Sequence, residues 1–306
     1  MTHYVHYSEC PVCKSSYIDP LLTAKDFTVS GESFVIWQCR DCTLRFTQDV
    51  PDAEHIGKYY QSEDYISHSN SNKGIVNQLY QRVRKLTLMQ KTKLIKEECG
   101  IDSGSILDVG SGTGAFLNTM QQHNWSITGV EPDPKARSLA ESLYKIELLE
   151  TDQLFHLPEH SYDAITLWHV LEHVHDLHNY VAKLKSLLKP GGKLFIAVPN
   201  YLALEASIYG PFWAAYDVPR HLYHFTPKAI EALIKQHGLK MITMKPMWFD
   251  SFYISMLSSK YHSGKTKLVA SFINGLRSNA KAAFNKDRCS SLIYIVAKDQ
   301  KGKFTS

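Results

Sequence analysis

The chain has 306 residues, 44% of them hydrophobic, and 34 Lys and Arg stand against 30 Asp and Glu for a formal charge of +4. That length holds one large domain plus a small module. The mild charge gives no electrostatic reason to expect a nucleic-acid partner, and no apolar run reaches the roughly 20 residues that span a bilayer. The start, Met1-Thr2-His3-Tyr4, lacks a charged-then-apolar leader, so a cytoplasmic location is expected.

Residues 1–50 contain two cysteine pairs, Cys10-Pro11-Val12-Cys13 and Cys39-Arg40-Asp41-Cys42, with Cys99 and Cys289 left over. Without a secretion leader the thiols stay reduced, which argues against a disulfide framework. Paired C-x-x-C knuckles instead supply four thiolates at tetrahedral zinc spacing. The strand-like runs Phe34 to Gln38 and Thr43 to Phe46 flank the second knuckle, so the segment reads as a zinc ribbon. A module this small needs the metal for stability, and a closed four-Cys site is structural rather than catalytic.

Residues 51–104 read as a helical linker or cap. Ala53 to Tyr60 forms a short helix, the Ser- and Asn-rich stretch Gln61 to Gly74 a loop, and Ile75 to Cys99 a long amphipathic helix. Val76, Leu79, Val83, Leu86, Met89 and Leu94 step by three to five residues, as a buried face would. Arg82, Arg84, Lys85, Lys91, Lys93 and Lys96 lie on the other face, read as solvated, with an anionic substrate or RNA as the sharper alternative.

Next comes Ile106-Leu107-Asp108-Val109-Gly110-Ser111-Gly112-Thr113-Gly114-Ala115: an apolar strand, a turn with three alternate glycines and a helix start. Such a turn aims free backbone N–H groups and a helix N-terminus at a ligand. A following strand, Trp125 to Glu131, ends in a carboxylate that can accept hydrogen bonds from a ribose diol. The spacing G-x-G-x-G differs from the nicotinamide fingerprint, and Asp108 suits a cationic ligand better than a pyrophosphate. From residue 105 onward strands alternate with helices. Strands fall near 105–109, 126–131, 146–149, 163–168, 193–198, 239–245 and 291–297, and helices near 114–123, 133–144 and 175–189. A further helix, capped by Thr226 with Pro227 at its first position, runs to about His237. This predicts an α/β fold with a doubly wound, seven-stranded, mostly parallel sheet.

Two segments exceed a minimal core of this kind. Residues 199–225 carry Tyr209-Gly210-Pro211-Phe212-Trp213 and Tyr216-Asp217-Val218-Pro219-Arg220-His221-Leu222-Tyr223-His224-Phe225, a density of aromatics, His and Arg that reads as an acceptor-site lid. In 247–288, Leu268, Val269, Phe272, Ile273, Leu276, Ala280 and Phe284 make an apolar helical stripe. Packing on the domain or on a dimer partner is the plain reading; a membrane surface or acyl chain, helped by Lys265, Lys267, Arg277 and Lys281, is the alternative.

The D-x-G-x-G-x-G run, the strand ending in Glu131, Leu188-Lys189-Pro190-Gly191-Gly192 before an apolar strand, and Leu171-Glu172-His173-Val174 after the fourth strand together resemble the class I S-adenosylmethionine (SAM) methyltransferases. The match is to the branch grouped as methyltransferase types 11, 12 and 23. The resemblance implies a Rossmann-like domain over about 105–300 and SAM as cofactor. It places Asp108, Gly110, Ser111, Gly112, Gly114, Glu131 and Trp168 around that cofactor, with Asp152 or Gln153 at its adenine. An O- or C-methyl acceptor needs a proton removed, for which a His of near-neutral pKa suits. His173 or His221 is therefore the expected base, with Glu172 orienting an imidazole and His169 on the same face. Some relatives with E-x-x-E-H at this place bind a metal; here His169 replaces the first acid. The expected metal set is Cys10, Cys13, Cys39 and Cys42, holding structural Zn2+. A small-molecule, sugar or lipid-like acceptor is expected. RNA methylation through the zinc module, and a non-catalytic SAM- and zinc-binding adaptor, are the alternatives.

Overall fold

In the computed structural model, which describes residues 3–61 and 75–299, the chain packs into two units. Among the described residues one unit gathers 3–61, 169–180 and 197–294, and the other 75–168, 181–196 and 295–299.

The second unit carries the glycine turn. Strand β6 (Ser105–Val109) is almost wholly apolar and buried, as a central parallel strand must be. It pairs in parallel with β7 (Ser126–Val130) on one side and β8 (Tyr162–Trp168) on the other. Helix α2 (Ala115–Gln122) buries Phe116 and Leu117 and, one turn on, Met120, all on one face. Helix α3 (Pro134–Tyr144) starts where the sequence predicts, with Asp133 accepting from Lys135 N at 2.9 Å and Pro134 leading. Helix α4 (Leu177–Leu187) leads directly into β9 (Leu188–Pro199), a strand that starts five residues before the predicted 193.

With β11 (Leu239–Pro246) and β12 (Ser291–Lys298) the sheet has, among the described residues, six strands in the order β11-β12-β9-β8-β6-β7. The expected doubly wound α/β class holds, but the seventh strand, near 146–149, shrinks to a single bridge between Leu149 and Val130. There Leu149 N donates to Gly129 O and Glu131 N donates to Leu149 O, each at 2.9 Å. The chain then turns at once into a 3-10 helix, Thr151–His156, so the edge gains no further rungs.

Helix α1 (Ile75–Cys99) has the predicted bounds but not the predicted faces. Leu86 and Met89 are 45% and 56% exposed, whereas Thr92 and Ile95 are buried. Nor is the basic face simply solvated: Arg84 Nη2 lies 3.4 Å from Thr113 Oγ1, and Lys91 Nζ sits 4.0 Å above the Trp168 ring. Periodicity alone could not choose between faces, because long Lys and Arg stems also cover apolar surface. Beyond Gln61, the predicted loop lies outside the described residues.

In the first unit β2 (Ile18–Lys25), β3 (Ser33–Cys39) and β4 (Arg45–Thr47) form the antiparallel ribbon. A small pair, β1 (Tyr4–Val5) with β5 (Val50–Pro51), flanks it, and the short predicted helix is a 3-10 turn, Ile56–Tyr60. The ribbon does not stand alone. Strand β10 (Tyr223–His224) adds to β4, giving a four-stranded sheet in the order β10-β4-β3-β2. Phe34, Ile36 and Tyr59 share a core with Tyr201, Tyr209, Trp213 and Tyr216. Most of residues 199–225, including α5 (Leu204–Tyr209), thus pack with the ribbon, while Ser207, Ile208 and Pro211 are exposed: a ribbon too small to own a core borrows these aromatics. Helix α6 (Pro227–Gln236) begins as predicted, Ala229 N donating to Thr226 Oγ1 at 3.1 Å.

The helices of 247–288 are α7 (Asp250–Ser263) and α8 (Leu268–Phe284). Here the expected packing of the apolar stripe on the domain is reversed. The buried side of α8 is Ser271, Gly275, Ser278 and Ala282, while Leu268, Val269, Phe272, Ile273, Leu276 and Phe284 are exposed. Small residues let the two helices approach closely; a Cβ on Gly275 would lie 2.6 Å from the Phe252 ring.

Candidate active site

The glycine turn is held by backbone. Gly110, Gly112 and Gly114 take φ of 72°, 53° and 74°, the left-handed region that favours glycine. Gly110 N and Ser111 N both donate to Val130 O, at 2.8 and 3.1 Å, and Ser111 Oγ donates to Asp108 O at 2.7 Å. Glu131 closes the turn: its carboxylate accepts from Gly112 N at 2.7 Å and from Asp133 N at 3.0 Å. Both oxygens keep further lone pairs for a ribose diol. A Cβ on Gly112 would meet nothing within 4 Å, so this stretch of backbone faces open space.

Asp108 is buried behind the turn and accepts from Thr166 Oγ1 at 2.6 Å. Burial raises its pKa to about 7, against the pull of Thr166 and the charge of Lys91. A carboxyl poised there gains from a cationic ligand. Trp168 packs edge-on against Phe116, and its buried Nε1 makes no hydrogen bond among the described residues. Asp152 and Gln153 are exposed on the 3-10 helix that follows Leu149. The chemistry of the turn, Asp108 and Glu131 is compatible with a cofactor that has a cationic centre and a ribose.

The histidine cluster belongs to the first unit. The expected α-helical face is instead one 3-10 turn, Leu171–His173, preceded by His169 at φ 59°. His173 Nδ1 lies 3.0 Å from Arg220 O and 3.0 Å from Tyr60 Oη; His221 Nδ1 lies 2.9 Å from Ala215 O. A carbonyl only accepts, so Nδ1 carries a proton in both rings; His221 Nε2 faces the Asp217 carboxylate at 4.0 Å. The two rings meet edge to face with centroids 4.6 Å apart. One ligand atom from each of Glu172, His173 and His221 lies within 4.8 Å of the others.

The imidazole that Glu172 pairs with is that of His169, not that of His173 or His221. Glu172 is fully buried and neither carboxylate oxygen makes a hydrogen bond; its nearest partner is His169 Nδ1, at 3.4 Å. Backbone carbonyls orient the other two rings. His169 also departs from expectation. Burial pulls its pKa down, but Asp250, 3.2 Å from Nε2, and Glu172 overcome this and raise it to about 10. At neutral pH it is a cation between two carboxylates, not a base. His173 is the reverse: burial, then the charge of His221, lower its pKa to about 4, so it is neutral.

Arg220 supports the cluster from beneath. It is fully buried and donates from Nη2 to Asp217 at 2.6 Å and to Asp26 at 3.0 Å, and from Nη1 to Tyr59 O at 2.8 Å. Sequence reasoning missed Asp26, Tyr60, Asp250, Thr166 and Lys91, which no local spacing ties to the site. Asp217 and Arg220 were legible, since with His221 they sit at i, i+3 and i+4.

Apart from these, Cys10, Cys13, Cys39 and Cys42 are free thiols whose sulfurs all lie within 4.8 Å, with Cys10–Cys42 and Cys13–Cys39 each 3.5 Å apart. A tetrahedral ion with Zn–S near about 2.3 Å sets sulfurs about 3.8 Å apart, so the donor set is compatible with zinc.

A parallel sheet with a glycine turn after β6 and an acid after β7 defines a Rossmann-like SAM-dependent methyltransferase. Comparison agrees: the methyltransferase domain family matches residues 80–244. The chain belongs to that family. A ubiquinone biosynthesis O-methyltransferase of Xanthomonas axonopodis pv. citri is 27% identical over 159 residues, covering 47% of this chain and 66% of that protein. A demethylmenaquinone methyltransferase of Tropheryma whipplei is 27% identical over 169 residues, covering 52% and 71%. The matched stretch thus spans about two thirds of such relatives. Among solved structures, a geranyl diphosphate methyltransferase in complex with SAM has a TM-score of 0.53 at 14% identity, covering 77% of this chain and 95% of that one. A phosphoethanolamine N-methyltransferase of Haemonchus contortus has a TM-score of 0.52 at 16% identity, covering 84% and 63%. Both show the fold. Among the described residues no helix is long and apolar enough to cross a membrane.

Proposed function

We propose that this protein transfers a methyl group from SAM to a hydroxyl oxygen of a small cyclic acceptor, such as a phenolic quinone precursor. The observation that carries the reading is the pair of imidazoles, His173 and His221, whose Nδ1 protons are engaged by carbonyls and whose rings meet at 4.6 Å, with His173 neutral and its Nε2 left to accept a proton. The names of the quinone relatives support the acceptor class. SAM supplies an electrophilic methyl on a sulfonium. Asp108, Glu131 and the glycine turn bind and orient it, which is the larger share of catalysis for an in-line displacement. His173 or His221 takes the acceptor hydroxyl proton at Nε2. The resulting imidazolium is stabilised by the buried carboxylate of Glu172.

A second reading is favoured by one observation: Glu172, His173 and His221 each bring one ligand atom within 4.8 Å of the others, around a buried carboxylate whose nearest partner is His169 at 3.4 Å. Neutral His with Nδ1 bound to a carbonyl is the usual ligand form, so these three residues could hold a divalent cation that lowers the acceptor's pKa. RNA methylation is the weaker alternative, since Arg84 and Lys91 are engaged within the fold. We also infer a structural zinc at the four cysteines.

Titration calorimetry with SAM, then transfer of labelled methyl to hydroxylated benzenoid acceptors, tests the enzyme. Absence of SAM binding would overturn it, and transfer only to RNA would replace the acceptor class. Chelator-treated protein that keeps full turnover would remove the divalent-cation reading, and metal analysis that finds no zinc would remove the structural one.

A further inference from the structure

The α7–α8 hairpin presents an apolar face outward. On α8, Leu268, Val269, Phe272, Ile273 and Leu276 recur at the spacing of one helical face, with Val269 75% exposed, and Phe284 ends the helix 95% exposed. Trp248, Phe249 and Tyr253, at and before the start of α7, add exposed aromatics. They adjoin α8, because Asn279 Nδ2 donates to Trp248 O at 2.8 Å and Phe252 stacks on Phe272. The opposite side of α8 is already filled: Gly275 meets Phe252, and Ser278 donates to buried Glu205. Among the described residues nothing covers the outward face, and its contiguous exposed apolar side chains mark an interaction surface.

Charge identifies what covers it. Residues 260–288 hold seven Lys and Arg (Lys260, Lys265, Lys267, Arg277, Lys281, Lys286, Arg288) against one acid, Asp287. That is a net +6 in a chain of net +4, so all other residues together carry −2. A second copy packed face to face on this hairpin would bring like charges together, which disfavours a two-fold dimer there. An apolar helix face beside clustered cations and exposed Trp and Tyr matches a helix lying in the interface of an anionic membrane.

We propose that α8, with the start of α7, docks this protein onto an anionic phospholipid surface, inserting Val269, Phe272, Ile273 and Leu276 shallowly while Lys265, Lys267, Arg277 and Lys281 engage headgroups. The test is co-sedimentation of the full chain with vesicles of phosphatidylcholine alone or mixed with phosphatidylglycerol. It needs neither SAM nor acceptor, so its outcome is independent of the proposed reaction. Binding is expected only to the mixed vesicles and falls as salt rises. A V269S/F272S/I273S variant loses it, and each Lys→Gln change at 265, 267 or 281, or Arg277→Gln, weakens it roughly fivefold. All altered side chains are exposed, and unchanged circular dichroism and SAM affinity confirm an intact fold. No sedimentation with mixed vesicles, or equal binding by the triple variant, overturns the proposal. So does a dimer in analytical ultracentrifugation that the triple variant dissolves without any vesicle binding.

Discussion

Asp108 and Glu172 are both buried carboxylates one element away from β8, yet their surroundings drive them in opposite directions. Asp108 has Thr166 and the more distant charge of Lys91, and burial wins, raising its pKa to about 7. Glu172 is as deeply buried, but the His169 cation beside it and the charge of His221 outweigh the loss of water and hold it below the usual carboxylate range. One region waits for its cation to arrive with a ligand; the other carries its cation in the chain. The glycine turn is also built from one contiguous stretch, 105–133, whereas the histidine cluster draws on residues from 26 to 250. The first should therefore lose binding when altered, and the second both chemistry and fold.

The largest effect tests the fold of the cluster. Arg220→Met leaves Asp26 and Asp217 without their cation in the interior, and denaturant titration should show a loss of about 3–5 kcal/mol. A loss under about 1 kcal/mol would mean the network is not what holds residues 215–221. Next, His173→Ala and His221→Ala should differ: the one that supplies the base loses roughly 10²–10⁴ in kcat with SAM affinity intact. If both lose SAM affinity in proportion, the cluster is structural. In the turn, Glu131→Ala removes a charged acceptor and should weaken SAM binding by about 1.5–3 kcal/mol, read by calorimetry, while the folded protein persists.

The smallest effect is a pH dependence that belongs to the turn alone. The Asp108 pKa, near about 7 without a cationic ligand, must fall when one binds. Below pH 7 binding therefore expels a proton, and SAM affinity should decline by up to about tenfold per pH unit as pH falls from 7 toward the bound-state pKa. Above pH 7 it should be flat. Asp108→Asn should abolish the slope; a slope that survives would assign the titration elsewhere.

The turn, Glu131 and the Thr226-Pro227 helix start were readable because each is fixed by residues adjacent in sequence. The cluster was readable only in part. His169, Glu172 and His173 are neighbours, but the partners that decide their protonation, Asp250 for His169 and the carbonyls of Arg220 and Ala215 for the other two, come from distant segments. The apolar stripe of α8 misled for a different reason. Periodicity reveals two faces, and which one is buried depends on whether Ser271, Gly275 and Ser278 meet a neighbouring helix. Likewise the bridge at Leu149 depends on what lies beyond the sheet edge, which local pattern does not contain.

The pairing of β10 with β4 has a consequence for how such proteins diversify. Thr47 N donates to Leu222 O at 2.9 Å, Thr47 Oγ1 to His221 O at 2.7 Å, and Arg45 to Tyr216 Oη at 2.8 Å. Residues 216–224 thus inherit their backbone path from the cysteine ribbon. A chimera that exchanges 199–225 between related chains, without the matching ribbon, would strand these buried partners. Any change of acceptor preference built into this segment has to travel with the first fifty residues as a single heritable cassette.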